Sequence, residues 1–576
     1  MKKKTLIWLI IMFFALVAVA AFGALFFFEM FQPPVRLAGE NLLVINLSGP
    51  VEENPPADFF YAYLFGTKQM TMHDFWSNLR KAAVDRKIRA VLLRLNLLEC
   101  DWAKIEEMRR AVLDFRASGK KVFAYIEEGP DFDKEYYLAT ACDRIVLHPL
   151  GWLGINGLGG YVTFFKTTLD KLGIKAEFEH IEEYKTAYNI FTEKGFTPAH
   201  KEETESILSD IFNGYVATSA KARNLAESEF RSLIDKAFFH GQEAIEAGLV
   251  DECLYEDELE LLISGRGHPL PKVGFHDYTR IKPRSLGLET GSKIALIYAT
   301  GTIMPGEGFY QVLGSASLSR RLRQARLDRS VKAVVMRIDS PGGSSVASDI
   351  IWREVELTRR EKPVIVSMSD LAGSGGYWIA MPASKIVAEP QTLTGSIGVL
   401  AGKFSVAGLM DKIGITTERV TFGSKADIFS PYRSLTTEER KIIRAEIEWI
   451  YDAFLDKVAQ GRKMTREEVN EVGKGRVWTG RQAKEIGLVD ELGGLTEAIE
   501  LAKKEAGIPG DENVRFDVWP RKQTFWQKLV KAGDLGTKIP VKDKLEKSID
   551  IIRFMSTARA WALMPLGFEI SRGPIQ

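Results

Sequence analysis

Three kinds of apolar pattern follow one another along this chain. One long uncharged run, Thr5 to Phe28, comes directly after Lys2, Lys3 and Lys4. Short, nearly continuous aliphatic runs then recur: Leu42–Leu47, Ile88–Leu95, Lys121–Tyr125, Ile294–Ala299, Val331–Ile338 and Pro363–Ser367. Val331 to Ile338 is interrupted only by Lys332 and Arg337, the pattern of a strand covered on both faces. Between such runs the spacing changes to that of helices. From Ser344 to Arg360 the apolar positions are Val346, Ile350, Ile351, Val355 and Leu357, and the leading serine is a good N-cap. Strand, glycine turn, helix and strand make a βαβ pattern, so the predicted class is α/β with largely parallel sheets.

The pattern occurs twice. Leu42–Pro50 reads like Ile294–Thr302, and Ile88–Leu95 like Val331–Ile338. Lys121–Tyr125 reads like Pro363–Ser367, and Asp170-Lys171-Leu172-Gly173-Ile174 recurs as Asp411-Lys412-Ile413-Gly414-Ile415. Gly241 to Asp251 recurs as Gly480 to Asp490. Matches in one order at this spacing indicate an internal duplication. The predicted organisation is a basic tip and anchor over 1–28, an N-terminal repeat over 29–286, a C-terminal repeat over 287–510 and an amphipathic extension over 511–576. For that extension, packing on the body or on a neighbouring copy is favoured over contact with a membrane surface.

The repeats differ at their turns. Where the second has Asp339-Ser340-Pro341-Gly342-Gly343, the first has Asn96-Leu97-Leu98-Glu99-Cys100. The paired Gly342 and Gly343 let backbone N–H groups converge on a developing oxyanion. Ser374-Gly375-Gly376-Tyr377-Trp378 faces Asp133-Lys134-Glu135-Tyr136-Tyr137, so a nucleophile exists only in the second repeat. The lysine is the reverse case. Counting from the shared Gly-Ile landmark sets Lys185 opposite Ala426, while Lys425 falls one residue out of register. Ser374 is therefore the candidate nucleophile, flanked by Gly375, and Lys185 the candidate general base, with Lys425 as the rival.

Composition narrows the classes. Over 576 residues a net charge of +1 provides no electrostatic case for nucleic acid. Three cysteines at wide spacing fit neither a disulfide framework nor a zinc knuckle, and no cofactor or metal site is predicted. The seven histidines all precede Ser374 and none sits in a catalytic phrase, which disfavours a Ser–His–Asp triad. A lysine base needs its pKa pulled down by burial before it can take the serine proton. As a helix, the Thr5–Phe28 run is about 35 Å long, enough to span a bilayer core of about 30 Å. The three lysines place its start in the cytoplasm and the body outside, with a cleaved signal ending near Ala20 as the alternative.

Three phrases carry a family resemblance: Asp339–Gly343, Ala372–Trp378 and Leu393-Thr394-Gly395-Ser396-Ile397-Gly398. Together they resemble the signal peptide peptidase A family, in its long form with two tandem repeats. The resemblance implies a Clp/crotonase-type fold and a serine endopeptidase with a Ser374–Lys185 dyad. It implies substrates that are cleaved signal peptides and other extended apolar peptides. It also implies a tetrameric homo-oligomer on the outer side of an inner membrane. An acyl-CoA enzyme of crotonase type and a non-catalytic membrane scaffold are the alternatives of a different class.

Overall fold

The structure is a computed structural model that describes residues 12–13, 35–54, 70–308, 311–520, 561–563 and 569–570. The predicted anchor lies outside the described residues except at Met12 and Phe13. Among the described residues no helix is long and apolar enough to cross a membrane. Most of the extension after residue 520 also lies outside them.

Each repeat builds its own sheet. In the first, the order is Lys272–Gly274, Asn41–Pro50, Ile88–Glu99, Lys121–Ile126, Arg144–Leu147 and Glu252–Cys253, all parallel. In the second, Arg515–Trp519, Lys293–Thr300, Val331–Ser340 and Val364–Gly373 run parallel. Val364–Gly373 then pairs with both Lys385–Ala388 and Leu393–Gly395, and Lys385–Ala388 with Glu491–Leu492. Val477–Thr479 closes this sheet antiparallel to Leu393–Gly395. The mixed α/β class with largely parallel sheets is therefore as predicted.

One boundary changes. Arg515–Trp519 pairs with the first strand of the second repeat as Lys272–Gly274 pairs with the first strand of the first. The C-terminal repeat therefore extends to Trp519 rather than stopping at 510. A lone edge strand of a few residues is too short for its sequence to reveal the equivalence.

Two long helices correspond as well, Pro198–Arg223 and Thr437–Arg462, each of 26 residues. Both start at a threonine whose side chain accepts a backbone N–H, Thr197 from His200 and Thr436 from Glu439. Both end on a left-handed residue, Asn224 and Lys463.

A third sheet joins the repeats and has no counterpart in the sequence pattern. It contains Val312–Gly314, Thr302–Met304, Gly342–Ser344, Trp561–Leu563 and Leu400–Ser405 of the second repeat's half. It also contains Lys175–His180 of the first, antiparallel to Leu400–Ser405.

The repeats are also joined by buried charge. Of the two polar interruptions in Val331–Ile338, Lys332 is exposed and Arg337 is buried. The Arg337 guanidinium binds the Glu53 carboxylate through Nε at 2.8 Å and also pairs with Glu107, both from the first repeat. Beside it, Lys104 of the first repeat reaches Asp339 at 2.7 Å and Asp370 at 3.2 Å. Arg337→Ala would leave Glu53 and Glu107 buried without their partner, an expected loss of about 3–5 kcal/mol. Urea unfolding monitored by tryptophan fluorescence measures it, and a loss within about 0.5 kcal/mol, as for an ordinary surface substitution, would contradict this role.

Candidate active site

Ser374 follows the strand Val364–Gly373 and precedes the short helix Gly375–Ala380. Its φ of +54° is unusual for a residue with a side chain and marks a tight, strained turn. Two backbone bonds hold that turn: the Ser374 N–H donates to the Gly395 carbonyl at 2.8 Å, and the Trp378 N–H to the Ser374 carbonyl at 2.8 Å. Ser374 stands at the N-cap position, but its hydroxyl makes no cap bond.

The adjacent glycines are required by close approach. A Cβ on Gly375 would sit 2.6 Å from Ser348 Oγ and 3.1 Å from the Gly343 nitrogen. Gly343, at φ +154°, lies against strand Thr302–Met304, where a Cβ would meet the Ile303 carbonyl at 2.0 Å. The structure therefore brings Gly342, Gly343 and Gly375 together beside Ser374. Within this group the Gly342 N–H donates to Ser340 Oγ at 3.2 Å, and the Ser340 hydroxyl donates to the Gly301 carbonyl at 2.7 Å.

Lys185 enters from the first repeat. It lies between the strand Lys175–His180 and the short turn Thr186–Tyr188. Its segment is held by the Tyr184 N–H, which donates to the Lys474 carbonyl at 3.1 Å. Gly475 makes room for it: a Cβ there, at φ +82°, would lie 2.5 Å from the Lys185 nitrogen and 2.7 Å from its Cα. Lys185 and Ser374 are both 0% exposed, and Lys185 Nζ is 2.8 Å from Ser374 Oγ. The amine also bonds to the Ser396 carbonyl at 3.0 Å and its hydroxyl at 2.9 Å. Burial pulls the lysine pKa down to about 7, against the opposing pull of the Glu203 carboxylate. Lys425, the rival, is exposed in the turn after Gly423.

Sequence reasoning missed three members of this site. Ser396 lay in plain view within the Leu393–Gly398 phrase, but its contact with an amine from the other repeat could not be read there. Gly475 and Glu203 carried no local signal, since each acts through a chain segment distant in sequence.

The peptidase family S49 model matches residues 114–262 and 356–509. The chain is 34% identical to the chloroplastic serine protease SPPA of Arabidopsis thaliana, over 90% of this chain and 76% of that one. It is 33% identical to Protease 4 of Salmonella typhi, over 80% of this chain and 78% of the other. A putative signal peptide peptidase SppA of Enterococcus faecium is 36% identical over 32% of this chain and 54% of its own. The chain belongs to peptidase family S49. It is a serine peptidase with tandem family domains, which sets aside the acyl-CoA and scaffold alternatives.

The space at Gly475 is testable. Gly475→Ala forces a Cβ against the Lys185 backbone at a left-handed φ, and should cost about 1–3 kcal/mol of stability with a larger loss of peptidase activity. Thermal unfolding and a casein assay, run together, check both; unchanged activity would mean that this contact does not position the lysine.

Proposed function

We propose that the protein is a membrane-anchored endopeptidase of Clp/crotonase-type architecture that cuts extended apolar peptides, cleaved signal peptides among them, with a Ser374–Lys185 dyad. The observation that carries the reading is the 2.8 Å contact between a buried amine and a buried hydroxyl on different repeats. A neutral amine at that distance is in reach of the serine proton. Ser374 Oγ attacks the scissile carbonyl as its proton passes to Lys185 Nζ. The oxyanion that forms is stabilised by the N–H groups grouped at Gly343 and Gly375, with Gly342 shaping the turn. The ammonium then gives its proton to the departing amine, leaving an acyl-enzyme. Water, deprotonated by the same lysine, releases the acid and restores Ser374. The Ser396 carbonyl and hydroxyl orient Nζ through the cycle.

The slot for substrate is supported by the chain itself. Residues 561–563 run antiparallel to Gly342–Ser344, with Ala562 opposite Gly343, and Trp561 also pairs with Leu400. An extended peptide can take that place by strand addition, with its backbone held regardless of sequence. Such binding suits apolar substrates, and the lysine-flanked Thr5–Phe28 run supports an inner-membrane location with the body on the outer, periplasmic side.

Self-association is supported by the duplication. In the first repeat, the residues after the Asp-Lys-Leu-Gly-Ile landmark form the strand Lys175–His180 and pair with Leu400–Ser405. The equivalent residues 416–421 of the second repeat form no strand and are exposed along their length. Val420 is 87% exposed and Phe422 94%. Residues 159–164, equivalent to Leu400–Ser405, pair only at Gly160–Tyr161 with Glu569–Ile570 among the described residues. A second copy placing its 416–421 segment there would repeat the internal contact head to tail, as in a closed ring. The tetramer implied by the resemblance is such a ring.

Ser374→Ala and Lys185→Ala should each fold and each lose peptide hydrolysis by several orders of magnitude, because a dyad fails as a unit. Lys425→Ala should keep most activity, and the opposite ranking would reject Lys185 as the base. The base works in its neutral form, so kcat/KM should rise as pH increases through about 7 and level off above it; a rate that falls over this range contradicts the assignment.

Replacing Val420 and Phe422 together by aspartate should lower the mass measured by light scattering from that of the oligomer toward that of one chain. An unchanged mass would place the interface elsewhere.

A further inference from the structure

Glu203 lies near the start of the helix Pro198–Arg223 and is 3% exposed. Its two carboxylate oxygens serve different repeats. Oε2 accepts from the hydroxyl of Thr186, the residue after Lys185, at 3.2 Å. Oε1 accepts from the Val477 N–H at 2.6 Å. Val477 stands opposite Gly395 in the strand pair Val477–Thr479 and Leu393–Gly395. Gly395 holds the backbone of Ser374, and the next residue, Ser396, holds the amine of Lys185. One carboxyl therefore ties the lysine segment of the first repeat to the strand pair of the second that carries the nucleophile.

We propose that Glu203 is a positioning residue for the peptidase reaction: it holds Lys185 in register with Ser374, and its negative charge governs how readily the amine gives up its proton. The proposal rests on the dyad reading and deepens it. A carboxyl buried this fully is costly to ionise, and burial pushes Glu203 up to about 7 against its bonds to Val477 and Thr186. The charged groups acting on it are Arg476 and Lys185. His200, three residues earlier on the same helix, is buried and held neutral, its pKa lowered to about 4. Glu203 and Lys185 therefore titrate over the same range and do so as a pair. While Glu203 is protonated, Lys185 loses its proton easily. Once Glu203 is ionised, the attraction makes the ammonium harder to discharge. The acid limb of activity should accordingly be broader than a single ionisation.

Glu203→Gln separates charge from shape. A glutamine can still accept from the Val477 N–H and can donate its amide to Thr186 Oγ, while the anion is gone. The test measures kcat/KM on a chromogenic peptide, and the rate of Ser374 inactivation by a fluorophosphonate, between about pH 5 and pH 9. The acid limb of Glu203→Gln should narrow to one ionisation, with its midpoint moved down by roughly half a unit or more. Glu203→Asp, which keeps the charge on a shorter arm, should return the midpoint toward that of the unaltered enzyme at reduced kcat. A Glu203→Gln limb with unaltered midpoint and width, whatever its height, would leave Glu203 a purely structural residue and overturn the proposal. If the glutamine variant does not fold, the unaltered enzyme decides: a limb no broader than one ionisation overturns it. Lys185→Ala in the same series keeps the two claims apart. Activity surviving that change rejects the dyad, whereas an inactive Lys185→Ala beside an unshifted Glu203→Gln rejects this proposal alone.

Discussion

The Lys185 amine meets the Ser374 hydroxyl at 2.8 Å in the interior where the two repeats join, and a charge placed there has no water to hold it. Lys185 is fully buried, and the partners of its amine are hydroxyl and carbonyl oxygens rather than a carboxylate in contact. Burial without direct ion pairing brings its pKa to about 7. Neither repeat could provide that environment alone. The lysine segment is covered by Lys474 and Gly475, by the Ser396–Gly398 turn and by the helix that bears Glu203. The interface between the repeats must therefore be permanent and tightly packed, since a transient contact would admit water and recharge the amine.

The buried charges near that interface serve permanence in a different way. Arg337 with Glu53 and Glu107, and Lys104 with Asp339 and Asp370, are pairs formed only when the two halves are in one register. Misaligned apolar faces still bury area, but misaligned buried ions lose their partners at high cost. Asp339 also begins the turn that carries Gly342 and Gly343. The contact that aligns the repeats is thus three residues from Gly342 and four from Gly343. Lys104 and Lys185 use the same low-polarity interior to opposite ends: carboxylates in contact raise the pKa of one, and burial lowers that of the other.

The duplication explains how such a site arises. Both halves keep the parallel sheet and the 26-residue helix capped by threonine. At the position of Ser374 the first half has Asp133, and opposite Gly342-Gly343 it has Glu99-Cys100. At the position of Lys185 the second half has Ala426, in an exposed turn. Each half lacks what the other supplies, and the sheet containing Lys175–His180 and Leu400–Ser405 is the joint across which the parts meet.

The recurrence of the pattern, the buried strands, the serine turn and the paired glycines were all legible in the sequence. Each is a local pattern: apolar period, glycine where no Cβ fits, serine among glycines. That Lys185 rather than Lys425 would lie beside Ser374 was also accessible, because one residue of register in a duplicated chain points a side chain elsewhere. The roles of Ser396, Gly475 and Glu203, the composite sheet and the strand Arg515–Trp519 were not. A serine that hydrogen-bonds an amine, a glycine that yields space to a lysine and a carboxyl that spans two repeats are defined by neighbours hundreds of residues away. Local pattern determined which elements form and which residues could react. Only the packing of one repeat on the other decided which of them meet, because contact distance and exclusion of water belong to the folded interface and to no single stretch of chain.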